Sequence, residues 1–269
     1  KKTYPEKYLD LGIAEQNLIG VAAGLASENF NVITTTFAPF QTMRCCEQIK
    51  VNLGYMAQKI SMVGIASGLS LGTLGYTHCC IEDVGILRSI PAISIISPAD
   101  SLETTKAIEH SINHNSSCYI RLTGTANNPI VYKEDYKFKI GKSITLKEGK
   151  DIVIFSTGSM VYQSLQAAKI LDSKNISARV VNMHTIKPID KDSIDLARDS
   201  KLIITIEEHN VIGGLGSAIA EHNSTLKNSP PHLILGIQDK YTKGGNYKFL
   251  LDKHRLTPEK LAEDILKKL

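Results

Sequence analysis

The 269-residue sequence contains no tryptophan, and aromatic residues make up only 6% of it. That leaves no repeated stacking platform of the kind single-stranded nucleic acid needs. It lacks any run of roughly eighteen uncharged apolar residues, so no membrane span is expected. No basic-then-apolar leader opens the chain either, so no secretion signal is expected. An excess of one charge is also missing: 31 Lys and Arg against 27 Asp and Glu give a formal +4, too mild to imply a nucleic-acid partner. The five cysteines, Cys45, Cys46, Cys79, Cys80 and Cys118, are odd in number and have no C-x-x-C spacing. A disulfide framework or zinc site is therefore not expected, and reduced thiols in a cytoplasmic protein are. The chain begins Lys1-Lys2-Thr3-Tyr4-Pro5 without an initiator Met, which leaves open that it is the ordered part of a longer polypeptide.

What is present is an ordinary globular balance, 42% hydrophobic and 22% charged, long enough for about two domains at roughly 150 residues each. Short β-branched runs alternate with longer amphipathic stretches, the pattern of α/β domains with largely parallel sheets flanked by helices. Strands are predicted at Tyr8–Leu11, Val32–Thr35, Ile60–Val63, Ala92–Ile96 and Cys118–Leu122, with helices at Ala14–Ser27, Pro39–Asn52, Ile81–Arg88 and Ser101–Asn113. Asp100 is placed to cap the last of these helices. Thr123–Phe138 has Gly124, Asn127, Asn128 and Pro129 but no apolar period, and reads as an interdomain connection. A second α/β set follows, with strands at Asp151–Ser156, Ser177–Asn182, Leu202–Glu207 and His232–Gly236. Its helices are predicted at Met160–Leu171, Lys191–Arg198, Gly214–Leu226 and Pro258–Leu269.

Four segments concentrate groups able to do chemistry. In Asp10-Leu11-Gly12-Ile13-Ala14-Glu15 a strand is expected to end at a glycine turn, putting Glu15 in the first turn of a helix. That is where open α/β sheets bind ligands, although a carboxylate there also simply complements the helix dipole. Phe37 and Phe40 lie three apart around Pro39; they can wall a flat ring or pack in the core. The glycine-dense stretch Gly64–His78 lets backbone approach a ligand closely and ends on a histidine suited to proton transfer near neutral pH, or to a structural role. Its spacing is not that of a phosphate-binding P-loop. The last segment, Glu207-Glu208-His209-Asn210-Val211-Ile212-Gly213-Gly214-Leu215-Gly216-Ser217, has the order Gly-Gly-x-Gly instead of G-x-G-x-x-G, so its glycines point to close packing or an interface more than to a nicotinamide cofactor.

Taken in order and spacing, Gly12-Ile13-Ala14-Glu15-Gln16-Asn17, Thr36-Phe37-x-x-Phe40, Leu74-Gly75-Tyr76-Thr77-His78 with Ile81-Glu82-Asp83, Ile186-Lys187-Pro188-Ile189-Asp190 and the Glu207–Ser217 block resemble the C-terminal half of transketolases, especially the small subunits of split bacterial transketolases. The resemblance runs over essentially the whole chain. It implies a pyrimidine-binding domain at 1–133, a transketolase C-terminal domain at 138–269, thiamine diphosphate as cofactor, and transfer of a two-carbon ketol unit from a ketose to an aldose. It also implies that Glu15 bonds a ring nitrogen of the aminopyrimidine, favouring the imino form that removes the thiazolium proton. Phe40 would stack on that ring with Phe37 beside it. His78 would assist proton movements on the substrate, and Arg121 would hold a sugar phosphate, to which a guanidinium is suited.

The sequence also departs from the family pattern. The acidic residue expected four positions before the histidine is Leu74, a second substrate-side histidine is replaced by Ala66 or Ser67, and Cys79 stands where His or Gln is frequent. These changes point away from the ordinary pentose phosphates toward a specialised ketose or aldehyde. No Gly-Asp-Gly…Asn motif for Mg²⁺ and the diphosphate is present. An N-terminal-half partner subunit is expected to supply it, in an α₂β₂ heterotetramer with the active site between chains. The alternatives are a deoxyxylulose-phosphate synthase-like or 2-oxo-acid dehydrogenase beta-like subunit, or a noncatalytic regulatory subunit of the same fold.

Overall fold

Val32–Phe37 (β1), Ile60–Ser67 (β2), Ile93–Ile96 (β3) and Ser117–Thr123 (β4) are short and rich in β-branched residues, and in the computed structural model they lie side by side in parallel. The structure describes residues 2–269; Lys1, where the first expected domain begins, lies outside them. The spatial order is β1-β2-β4-β3, and Thr185–Lys187 (β8) joins the β3 edge antiparallel. β2 and β4 are buried almost end to end, as strands covered on both faces must be. Their cover comes from Glu15–Ser27 (α1), Ala38–Thr42 (α2), Cys46–Gln48 (α3), Asp83–Arg88 (α4) and Ser101–Ile112 (α5).

The second sheet has the order β10-β9-β6-β7-β5, built from Ile144–Lys147 (β5), Ile152–Ser156 (β6), Ala178–Asn182 (β7), Leu202–Asn210 (β9) and His232–Ile237 (β10). All its pairings are parallel except β5 with β7. Met160–Asp172 (α6), Lys191–Asp195 (α7), Leu215–Asn223 (α8), Tyr247–Lys253 (α9) and Pro258–Lys268 (α10) complete this part. Two sheets of mostly parallel strands flanked by helices match the α/β class expected from the sequence. No described helix is long and apolar enough to cross a membrane.

Several local expectations are corrected. Tyr8–Leu11 joins neither sheet; Pro5–Lys7 makes a 3₁₀ turn, and the segment then ends where Asp10 Oδ1 accepts the Gly12 N–H at 3.1 Å with Gly12 at φ +69°. The helix predicted at Pro39–Asn52 is broken. Thr42 Oγ1 donates back to the Ala38 carbonyl (2.7 Å), Cys45 Sγ donates to the Phe40 carbonyl (3.2 Å), and Ile49–Tyr55 widens to a π-helix. Asp100 does cap α5, its Oδ1 accepting the Glu103 N–H at 3.0 Å.

The Thr123–Phe138 connection is not a loose linker. Asp100 Oδ2 accepts the N–H groups of Val131 and Tyr132 (2.8 Å each), and Tyr136 Oη donates to Glu103, to which Asn182 of β7 also donates. β5, β8, α9 and the 3₁₀ turn Gly72–Thr77 gave too short or too mixed a pattern for periodicity to register.

The sheets share a core at the level of the site. Leu69, Cys79 and Ile81, which bracket the loop after β2, are buried in the same cluster as Ile154, Ile204 and Leu250 of the second part. That loop is also pinned by backbone and side-chain bonds. Gly68 and Cys80 exchange N–H···O bonds of 2.7 and 2.9 Å, the Gly245 N–H reaches the Gly72 carbonyl at 2.9 Å, and Tyr76 Oη lies 3.0 Å from His254 Nε2.

Candidate active site

α1 begins at Glu15 immediately after the positive-φ turn at Gly12, so the carboxylate sits on the first helical turn; it is only 7% exposed. β1 delivers Phe37 at its carboxyl end, and Ala38-Pro39 open α2 so that Phe40 follows within one turn. Gln41 Nε2 donates to Thr34 Oγ1 at 2.6 Å, fixing α2 against β1. β2, the parallel neighbour of β1, leads into the glycine-dense loop that ends at His78. Phe37, Phe40 and His78 thus come together beyond the carboxyl ends of the adjacent parallel strands β1 and β2, the position at which open α/β sheets bind ligands.

The rings meet edge to face. Phe37 and Phe40 have centroids 6.1 Å apart at 75°, Phe40 and His78 5.3 Å apart at 72°, and Phe37 and His78 6.3 Å apart at 70°. Phe37 remains 36% exposed, so this is an open aromatic wall and not a sealed core. The half-buried His78 ring is oriented by Thr77 Oγ1, 3.0 Å from Nδ1, and its backbone N–H donates to the Gly75 carbonyl at 3.0 Å.

Arg44 links the wall to the carboxylate: its Nη1 donates to Glu15 Oε2 at 2.6 Å and its Cζ lies 4.1 Å from the Phe40 ring centroid. Sequence reasoning gave Arg44 no role. Its position four residues after Phe40 was the available signal, since residues so spaced can share a helix face. Beside the cluster, burial first and Glu15 second push the Cys45 thiol up to about 12. Burial, then Glu208 and Glu82, push Cys79 up to about 11. Neither is a thiolate nucleophile at neutral pH.

Arg121 is not brought to this cluster. It is 1% exposed on β4; its Nε donates to both oxygens of Asp83 (3.0 and 2.8 Å) and its Nη2 to the carbonyls of Glu208 (2.9 Å) and Cys80 (3.3 Å). A sugar phosphate has no access to a guanidinium held this way, which corrects the role implied for Arg121. Burial pushes the Asp83 carboxyl up, but Arg121, His209 and the hydrogen bonds from Arg121 and Tyr119 outweigh it and hold the group below the ordinary carboxylate range.

The Glu207–Ser217 block is likewise scaffold. Glu207 accepts the N–H groups of Leu215 (2.7 Å) and Gly216 (2.8 Å) at the start of α8, and a Cβ on Gly214 would run into its carboxylate. Glu208 is fully buried and reaches the Leu69 N–H (2.7 Å), Ser159 Oγ (2.5 Å) and Tyr247 Oη (2.6 Å). Burial drives its carboxyl upward against those hydrogen bonds. His209 Nε2 accepts the Gly85 N–H at 3.3 Å. These residues hold the second sheet against the His78 loop and α4. Among the described residues, no group of three or more His, Cys, Asp or Glu is arranged to hold a metal ion.

Comparison with known proteins gives the same pattern. Residues 1–128 match the family described as transketolase, pyrimidine binding domain, and residues 141–261 match transketolase, C-terminal domain. The chain is 36% identical over 268 residues to a subunit of the apulose-4-phosphate transketolase of Phocaeicola vulgatus, covering 98% of this chain and 85% of that one. It is 36% identical over 262 residues to the 6-deoxy-6-sulfo-D-fructose transketolase subunit SqwH of Clostridium sp. strain MSTE9, covering 96% and 80%. A 1-deoxy-D-xylulose-5-phosphate synthase of Prochlorococcus marinus is 31% identical over 271 residues, but there the chain spans 43% of the relative. Among solved structures, one described as a split gene transketolase, inactive beta4 tetramer, superposes with a TM-score of 0.88 at 36% identity, covering 99% of this chain and 85% of that one.

Proposed function

The chain belongs to the transketolase family, and from that membership we propose that it is the C-terminal-half subunit of a two-chain, thiamine diphosphate-dependent enzyme transferring a ketol unit from a ketose to an aldose. The observation that carries the reading is the grouping of a nearly buried carboxylate, Glu15, with the aromatic wall of Phe37 and Phe40 and with His78. A carboxylate beside an exposed ring face fits an aminopyrimidine, which offers ring nitrogens to the first and a flat π-surface to the second.

Bound thiamine diphosphate would supply the nucleophilic carbon and the electron sink for ketol transfer. On this reading Glu15 holds a proton at the pyrimidine ring nitrogen and so sets its tautomer, while Phe40 and Phe37 wall the ring and exclude water. His78, steadied by Thr77, holds or moves a proton at a substrate oxygen. The pyrimidine-binding domain is assigned to 1–133 and the C-terminal domain to 138–269.

Mg²⁺ and the diphosphate are assigned to an N-terminal-half partner subunit, in an α₂β₂ assembly; the match to subunits of two-chain transketolases supports this division. The same reading places the enzyme in the cytoplasm, in keeping with five free cysteines. Relatives named for a ketose phosphate and for a sulfo-sugar favour a specialised ketose with an anionic end as donor. The cation that recognises that end is not Arg121.

The test is reconstitution. The chain alone, given Mg²⁺ and thiamine diphosphate, is expected to show no ketol transfer, and the chain mixed with its partner to show it. Glu15→Gln is expected to lower kcat by roughly 10²–10⁴-fold without preventing assembly. Robust activity of the isolated chain, or near-normal turnover by the variant complex, would defeat the proposal. The partial match to deoxyxylulose-phosphate synthases favours one second reading, separated by assaying aldehyde release from ketose donors against decarboxylation of 2-oxo acids.

A further inference from the structure

Arg44 makes, within this chain, both contacts that the proposed function gives to the aminopyrimidine. Its planar guanidinium donates to Glu15 Oε2 at 2.6 Å and lies over the Phe40 ring with Cζ 4.1 Å from the centroid. A guanidinium and an aminopyrimidine share the features that this slot reads: a flat delocalised amidine edge that hydrogen-bonds a carboxylate, and a face that stacks on an aromatic ring.

The two cannot use Glu15 Oε2 and the same face of Phe40 together. We propose that Arg44 is a built-in placeholder, occupying the pyrimidine slot until an aminopyrimidine displaces it. The inference rests on the assignment of the Glu15–Phe40 slot to that ring.

The geometry around Arg44 suits a group that leaves. Its side chain is 43% exposed, against 8% for that of Glu15, so the guanidinium has a route to solvent while the carboxylate stays in place. Arg44 also sits in the turn between α2 and α3, where the helix is interrupted, and its carbonyl accepts from Gln16 Nε2 at 3.2 Å. The backbone is thereby tied to α1 independently of where the side chain points. While seated, the cation keeps the carboxylate and the Phe40 face from standing bare, a cost a pocket awaiting a ring would otherwise carry.

With Arg44 43% exposed, solvent screens its side of the ion pair and of the cation–π contact, so the placeholder yields to a ligand at a modest penalty. The probe is 4-amino-2,5-dimethylpyrimidine, titrated into the full chain by calorimetry or ligand-observed NMR, which reads binding without turnover. Arg44→Ala is expected to bind it about fivefold more tightly than the wild type, equivalent to ~1 kcal/mol. Arg44→Lys, which keeps the charge but loses the flat stacked face, is expected to fall between them. Added salt should tighten binding to the wild type and not to Arg44→Ala, because it screens the pair that must be broken.

Unchanged or weaker binding by Arg44→Ala, with Glu15→Gln and Phe40→Ala both weakening it, would overturn the placeholder and leave the slot assignment standing. Binding that ignores Glu15→Gln and Phe40→Ala would overturn the slot assignment itself.

Discussion

Replacing Arg121 by methionine separates a buried structural cation from a substrate-reading one. Asp83 is 0% exposed and its two oxygens take Arg121 Nε at 3.0 and 2.8 Å and Tyr119 Oη at 2.7 Å; His209 Nε2 stands 3.9 Å away. Arg121→Met leaves that carboxylate buried with its main cation gone, and strips the Glu208 and Cys80 carbonyls of a donor. Breaking a buried pair from one side costs about 3–5 kcal/mol. For a chain of this size that corresponds to a fall in Tm of roughly 10 °C.

The double variant Arg121→Met/Asp83→Leu removes both charges and is expected to recover most of the loss, so a double-mutant cycle by denaturant unfolding should show strong coupling. The pH dependence has a definite sign. The depressed Asp83 carboxyl contributes stability above the ordinary carboxylate range, and that contribution is lost as pH falls through its folded-state value. In Arg121→Met the carboxyl no longer has its guanidinium, so it protonates at higher pH and the penalty shrinks on acidification. A variant that unfolds within about 2 °C of wild type, yet raises KM for a phosphorylated ketose tenfold in the reconstituted pair, would refute the structural assignment.

Three further outcomes are expected. Burial holds the His184 imidazole, stacked 4.3 Å from Phe138, down at about 4. A group that charges in the unfolded chain before it charges in the folded one makes stability fall as pH drops from about 6.5 to about 4, by on the order of 3 kcal/mol. His184→Gln should flatten that slope in unfolding curves, leaving the parts due to His232, which burial also lowers to about 4, and to His114 and His254, which burial lowers as well. With Cys45 and Cys118 raised to about 12 by burial and Cys79 to about 11, alkylation of these thiols by iodoacetamide should stay slow at pH 8 and track unfolding; rapid labelling of folded protein would contradict their burial. Gly214→Ala should cost about 1–3 kcal/mol in unfolding free energy, because the new methyl displaces the Glu207 carboxylate from the start of α8; a neutral result would show that this turn yields freely.

The central strands were legible because burial on both faces demands predominantly apolar, β-branched runs, and β6, most of β2 and the first five residues of β9 have them. The grouping of Phe37, Phe40 and His78 followed from motif order and from where parallel strands end. What stayed hidden depends on groups distant in sequence. Arg121 looks like a phosphate ligand until Asp83, 38 positions away, is seen to take its Nε, and Glu208, 87 positions away, is seen to take its Nη2. Arg44 has no meaning until Glu15, 29 positions earlier, closes on it. Tyr8–Leu11 has the composition of a strand but joins neither sheet, and propensity alone cannot set sheet membership.

β8 has a consequence for how the molecule can be handled. Only three residues long, it comes from the later part of the chain and lies antiparallel along β3 of the earlier part, with Ile95 opposite Lys187 and Ile96 opposite Thr185. Cutting the polypeptide between its two sheets would strip that strip of backbone away and bare an unzipped row of amide and carbonyl groups on β3, ready to recruit any stray extended peptide. The fragments would then be sticky where the intact molecule is sealed, and efforts to grow either portion alone should carry residues 185–187 along or blunt the bared margin with charge.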